Sequence, residues 1–319
     1  MMTAASSKVA EGGGAPPVAS QAVSGRALGF AFAIAGAVGF SFKAILVKLA
    51  YRHQVDAETL LALRMAFSLP FFLVMGWAAS RRAADRLSAR DWVWMAGLGL
   101  FGYYLASYLD FLGLDYISAA LERLILFLYP TIVIVLSALF LGKPITRRML
   151  AALALCYLGI ALAVGHDLDV SGTVQEVALG CALVFASAVS YALYLMGNGQ
   201  VVGRLGSSRV TAYASSFACF FSLGQFVLMR PLEVLLAQAW QVYAYAGLMT
   251  VFSTVAPVWM VSEAIRRLGA GPVSLTGTLA PAITMLLGWI ILGEQIGLFQ
   301  LLGMTMVVAG VMVVARPRR

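Results

Sequence analysis

Charge is what this chain lacks most. Only 11% of its 319 residues are Asp, Glu, Lys or Arg, against about 25% in an ordinary soluble domain, and 61% are hydrophobic. So few polar residues cannot coat a globule in water, which excludes a soluble fold. Cysteine and histidine are scarce as well. Cys156, Cys181 and Cys219 stand far apart, each in an apolar run, so no disulfide framework or zinc spacing exists. His53 and His166 read as residues of two distant loops, and neither a metal nor a cofactor is expected. "GLGLFG" (97–102) has the GxGxxG spacing, but it lies inside an apolar run with no strand before it, so the dinucleotide fingerprint lacks its context. A Walker sequence and a nucleophile elbow are both missing. The chain is therefore not expected to be an enzyme, nor by itself an ATP-driven pump. Its 22 Lys+Arg exceed its 14 Asp+Glu by 8, but a nucleic-acid partner would need them clustered on a soluble face, and here they sit between apolar runs.

Those runs are what the chain does have. Residues 1–25 are rich in Ala, Gly, Ser and Pro and read as a disordered cytoplasmic tail. The first apolar run is too long and arrives too late for a cleaved signal peptide. Apolar stretches near the roughly 20 residues needed to cross a bilayer follow at 27–51, 57–79, 91–113, 117–141 and 146–165, then at 177–200, 209–229, 240–265, 272–292 and 297–315. Lipid offers no hydrogen bonds to a bare backbone, so these are helices. The expectation is an all-α polytopic membrane protein with ten transmembrane helices, its main partner a lipid bilayer. With the N-terminus inside, basic residues such as Arg81, Arg82, Arg86, Arg90, Arg147, Arg148, Arg266 and Arg267 fall on the inner side. The positive-inside rule then puts both termini in the cytoplasm of a cell that carries this multi-pass protein in its inner or plasma membrane.

The halves repeat. "LYPTIVIVLSALFLGK" (128–143) matches "LAPAITMLLGWIILGE" (279–294), with Pro130 over Pro281 and Gly142 over Gly293, both displaced by 151. The same shift lays Gly29 on Gly180 and Gly159 on Gly310, without a gap. Five helices per copy is an odd number, so the second copy enters the membrane from the other side: two inverted five-helix repeats, 26–166 and 177–316. Two such repeats, each with a proline-bearing fourth helix leaving through "LGK" or "LGE", resemble the EamA family of the drug/metabolite transporter superfamily, and are similar to its YddG-type amino-acid exporters. The resemblance implies a ten-helix transporter with a central cavity lined by helices 1–4 and 6–9, moving small metabolites, often outward. The acidic residue usual after the fourth helix is Lys143 here, whereas Glu294 keeps it in the second copy.

Ionisable residues within the membrane cost roughly 2.5–3.5 kcal/mol each at a helix centre, so Lys43, Arg64, Asp110, Glu122, Arg123 and Glu263 need a reason. The first five fall toward the outer face, from four helices of the first repeat. They are either structural ion pairs or cavity residues, Lys43 and Arg64 being the deepest. Glu122 and Arg123 are neighbours, about 100° apart on a helix, and each needs a different partner. Two polar stripes add further candidates for the wall of a substrate cavity: Ser187, Ser190, Tyr191, Tyr194 and Asn198 on helix 6, and Tyr103, Ser107 and Asp110 on helix 3. The serines fit close helix packing equally well. Pro130, Pro257 and Pro281 would bend their helices, as hinges or as static features. The reading is a secondary transporter for small polar metabolites, amino acids foremost, exported by alternating access. Uptake or exchange of a nucleoside or sugar derivative, and a non-transporting scaffold, are the alternatives; proton coupling and oligomeric state stay open.

Overall fold

In a computed structural model, residues 18–81, 86–142, 144–170, 173–268 and 270–315 are described. Among them there is no strand. Among the described residues there are ten helical passes: α1 (Val18–Tyr51), α2 (Ala57–Arg81), α3 (Ala89–Gly113), α4 (Ala119–Leu141), α5 (Arg147–Val170), α6 (Val174–Leu205), α7 (Ser207–Met229), α8 (Trp240–Leu268), α9 (Ala270–Leu292) and α10 (Leu298–Ala315). A five-residue turn of helix, Leu232–Leu236, joins α7 to α8. Seven of the passes are long and apolar enough to cross a membrane by those measures alone, and shorter apolar helices cover α9 and α10. Large apolar side chains such as Leu139, Phe140, Leu228 and Trp289 stand exposed, as they must where lipid is the solvent. α1 begins at Val18, within the stretch expected to be a tail, because Ala and Gln favour a helix even where hydropathy is low. Residues 1–17 and Lys143 lie outside the described residues. His166 is not in a loop; it sits in the last turns of α5 and meets the Gln295 carbonyl.

Packing follows the repeat. Adding five to a helix number turns the main contacts between halves into others that are also present: α1 packs on α8 as α6 does on α3, α4 on α6 as α9 does on α1, and α2 on α8 as α7 does on α3. α2·α7, α4·α9 and α5·α10 map onto themselves. The match extends to atoms. A Cβ on Gly29 would lie 2.7 Å from the Leu268 side chain, and one on Gly180 would lie 2.7 Å from Ile117, which is 151 positions before Leu268. At the α5·α10 crossing, Gly159 closes on the Gly303 carbonyl and Gly310 on that of Ala152 (2.7 and 2.9 Å from an added Cβ), while the Cys156 thiol faces the carbonyl of its own mate, Val307, at 3.6 Å. Glycine is required there because only bare backbones can approach so closely.

Helix irregularities recur at the same offset. α4 breaks at Phe127–Leu128 and α9 at Thr278–Leu279, each restarting with proline as the second residue of the new segment. At that position the missing N–H costs nothing, so Pro130 and Pro281 start segments rather than distort them. Both helices then end on a left-handed glycine, Gly142 (φ 62°) and Gly293 (φ 74°). α3 and α8 each widen into a π-type turn, Leu100–Leu105 and Val251–Val255, and Pro257 follows the second. Such turns turn carbonyls out of the helix ladder. Ser190 and Ser187 of α6 donate to the carbonyls of Phe101 and Ala106 at 2.7 Å each, and in the mated place Gly39 and Gly36 of α1 pack against Pro257 and the Phe252 carbonyl.

Candidate substrate site

The scaffold is symmetric, but its lining is not. At the bundle end opposite Val18 and Ala315, Lys43 of α1 donates to Asp110 Oδ2 of α3 at 2.5 Å and to Glu122 Oε1 of α4 at 3.0 Å. Both carboxylates are buried, and the lysine side chain keeps 17% exposure. Three helices of one repeat thus meet on one ammonium, which explains why Glu122 can stand in an apolar stretch: its charge is compensated inside the bundle. Asp110 Oδ1 and Glu122 Oε2 are buried without a hydrogen bond. Arg64 of α2 lies alongside. Its guanidinium bonds Thr254 Oγ1 of α8 through two nitrogens at 3.3 Å, sits 5.4 Å over the Phe111 ring and feels the charge of Asp110, leaving Nη1 unpaired. A seam from Ser68 through Thr250 to the Arg64 carbonyl ties α2 to α8 beneath it.

Val261 and Val273 replace Asp110 and Glu122 in the second repeat, and Tyr194 replaces Lys43. The equivalent region is built of tyrosines. Tyr103 of α3 and Tyr194 of α6 share a hydroxyl hydrogen bond of 3.1 Å. Ring contacts continue from Tyr194 to Tyr191 (5.6 Å, stacked) and from Tyr191 to Tyr129 of α4 (5.4 Å, edge-on). Arg123 is half-buried within electrostatic reach of Tyr129 and Tyr191. Gly102 leaves room for this cage, since an added Cβ would strike the Tyr194 ring.

The expected residues therefore divide. Lys43, Asp110, Glu122 and Arg64 come together as one ionic group, and Tyr103, Tyr191, Tyr194 and Arg123 as an adjoining aromatic one. Asn198 lies one turn beyond Tyr194 with its carbonyl oxygen unpaired, and Ser107 sits half-buried one turn from Asp110. Ser190 serves the α3 backbone instead of a cavity wall. Glu263 is not an isolated membrane charge: it pairs at 2.6 Å with Arg266 and Arg267, three and four residues on, near the end of α8. Sequence reasoning missed Tyr129, Thr254 and Phe111. The 151 offset held the signal for Thr254, which is the mate of Tyr103. It also missed a cap on α4, where Asp167 of α5 accepts from Ser118 N and Oγ at 2.9 Å each and Glu294, just past α9, accepts from Ala119 N at 2.9 Å.

The EamA-like transporter family model matches residues 27–165 and 178–316, two segments displaced by the same 151 positions. The chain belongs to the EamA-like transporter family. Its relatives include the uncharacterized transporter YcbK of Bacillus subtilis (strain 168), 29% identical over 87% of this chain and 89% of YcbK. Another is the uncharacterized transporter YyaM of the same organism, 23% identical over 73% of this chain and 75% of YyaM. A solved crystal structure shares the fold with a TM-score of 0.60 at 19% identity, covering 91% of this chain and 96% of that one. The family and these relatives make the chain a multi-pass membrane transporter, and a non-enzymatic role agrees with both.

Proposed function

We propose that this transporter exports small polar metabolites, amino acids foremost, across the cytoplasmic membrane by alternating access between its two inverted repeats. The observation that carries the reading is the Lys43–Asp110–Glu122 group. A buried ion group at the meeting of three helices costs desolvation energy that an apolar core of equal volume would avoid, and in a membrane helix such residues mark a pathway. Its unpaired carboxylate oxygens, beside the unpaired nitrogens of Arg64 and Arg123, offer acceptors and donors within one region, which suits a solute bearing both an ammonium and a carboxylate. With the termini cytoplasmic, the ionic group lies toward the outer face and the tyrosine cage nearer the midplane. The matched breaks of α4 and α9 flank that region and are the places where the halves would rock.

Transport of radiolabelled amino acids by the purified chain in proteoliposomes tests the proposal. Saturable movement above that of protein-free liposomes is expected. Amino acids crossing no faster than in protein-free liposomes would sink it.

A further inference from the structure

Three cations and two carboxylates reach into the site, so with all five ionised it carries one positive charge more than its acids compensate. The three cations are not partnered alike. Lys43 takes both carboxylates. Arg64 has Thr254, the Phe111 ring and the charge of Asp110, with Nη1 left unpaired. Arg123 makes no ion pair among the described residues, and its Nε is buried without a hydrogen bond. It follows Glu122 directly on α4, so its side chain leaves the helix about 100° away from the one held by Lys43. Besides the charge of Glu122, the groups in its reach are Tyr129 and Tyr191, and among the described residues neither phenol hydrogen-bonds to protein. A half-buried guanidinium whose Nε–H is buried and unpaired, beside two phenols with O–H donors to spare, is a set of donors lacking a hydrogen-bond acceptor.

We infer that Arg123, with the hydroxyls of Tyr129 and Tyr191, forms an anion subsite that receives the carboxylate of the carried solute. This rests on the reading that the chain moves a small polar metabolite. A carboxylate matches the charge, since one negative group neutralises the surplus, whereas a dianionic phosphate would leave the site negative in a medium that penalises uncompensated charge. It also matches the geometry of a guanidinium, whose N–H fork suits two carboxylate oxygens. The stacked rings of Tyr191 and Tyr194 then give the rest of the solute an apolar wall. Glu122 and Arg123, adjacent in sequence, accordingly have separate tasks: Glu122 holds Lys43 within the protein, and Arg123 faces the cargo.

The test compares acids with their own amides, which differ only in the charge of that group. Thermal unfolding of the detergent-purified full chain is followed with L-leucine, L-threonine and L-phenylalanine, each beside its amide. At least one acid should stabilise the wild type while its amide does not. Arg123→Gln should weaken that response about 10- to 100-fold in apparent affinity, the loss expected for a hydrogen bond to a charged group, and Arg123→Lys should restore part of it. Tyr191→Phe, which keeps the ring, should weaken it less, and it carries the test should Arg123→Gln fail to fold. Equal responses to an acid and its amide, an unchanged response in both variants, or no response to any acid overturns the subsite. Proteoliposomes separate this from the broader proposal: a metabolite moved equally well by wild type and Arg123→Gln leaves the transport reading standing and removes the subsite.

Discussion

Removing the Lys43 ammonium should do more harm than removing it together with one of its carboxylates. In Lys43→Met, Glu122, which is 0% exposed, loses the cation it pairs with and keeps only the unpaired charge of Arg123 in reach, while Asp110 still has Arg64 nearby. Breaking a buried ion pair from one side costs about 3–5 kcal/mol, mostly because a charge is left buried and alone. Lys43 retains 17% side-chain exposure, which favours the lower end, about 3 kcal/mol, or roughly a 100- to 200-fold shift in the unfolding equilibrium. Lys43→Met/Glu122→Gln removes one charge of each sign and leaves Arg64 beside Asp110, so the double variant should recover at least half of the loss. The assay is a double-mutant cycle on detergent-solubilised protein, with denaturant unfolding followed by tryptophan fluorescence. Additive effects, with the double variant no more stable than Lys43→Met, would refute the claim that this is a compensated ion group.

Three further expectations come from the scaffold. Gly159→Leu must push α10 away, because even a Cβ there lies 2.7 Å from the Gly303 carbonyl; it should cost several kcal/mol or prevent folding, while Gly165→Ala, inside α5 with nothing within 4 Å of its Cβ, should leave stability unchanged or raise it by up to about 1 kcal/mol. Ser190→Ala leaves the Phe101 carbonyl without its 2.7 Å donor and should cost about 1 kcal/mol in the same unfolding assay. Burial pushes the Glu294 carboxyl above its ordinary 4.5 despite the hydrogen bond from Ala119 N. A carboxyl raised in the folded state favours the folded form while protonated, so wild-type stability should decline as pH rises from 4.5 through the raised value. Melting curves across pH should show Glu294→Gln, which keeps the acceptor for Ala119, lacking that decline.

What could be read from the sequence was whatever the fold imposes through backbone contact. Gly29 and Gly180, Gly159 and Gly310, and Gly142 and Gly293 recur because each pair fills the same tight place or left-handed turn in both repeats, so the inverted architecture was visible as letters. The polar stripe on α6 was visible too, but not its division. Ser187 and Ser190 answer carbonyls more than eighty residues away, and the π-type turns that expose those carbonyls leave no residue signature. That Glu122 and Arg123 need different partners follows from helix geometry alone. Which of them takes Lys43 depends on how α4 is rotated against α1, and hydropathy does not encode that rotation. Glu263 misled because its two arginines stand just past the expected end of its span, and only the actual extent of α8 brings them within reach.

The central claim is that solute passes through a site between the repeats in which Lys43 holds the ionic group together. Solute counterflow measures this most directly: proteoliposomes preloaded with an unlabelled amino acid are placed in a trace of the same compound, labelled. Wild type should accumulate label transiently, and Lys43→Ala, reconstituted at equal density, should not. A Lys43→Ala protein that exchanges label at the wild-type rate would contradict the account.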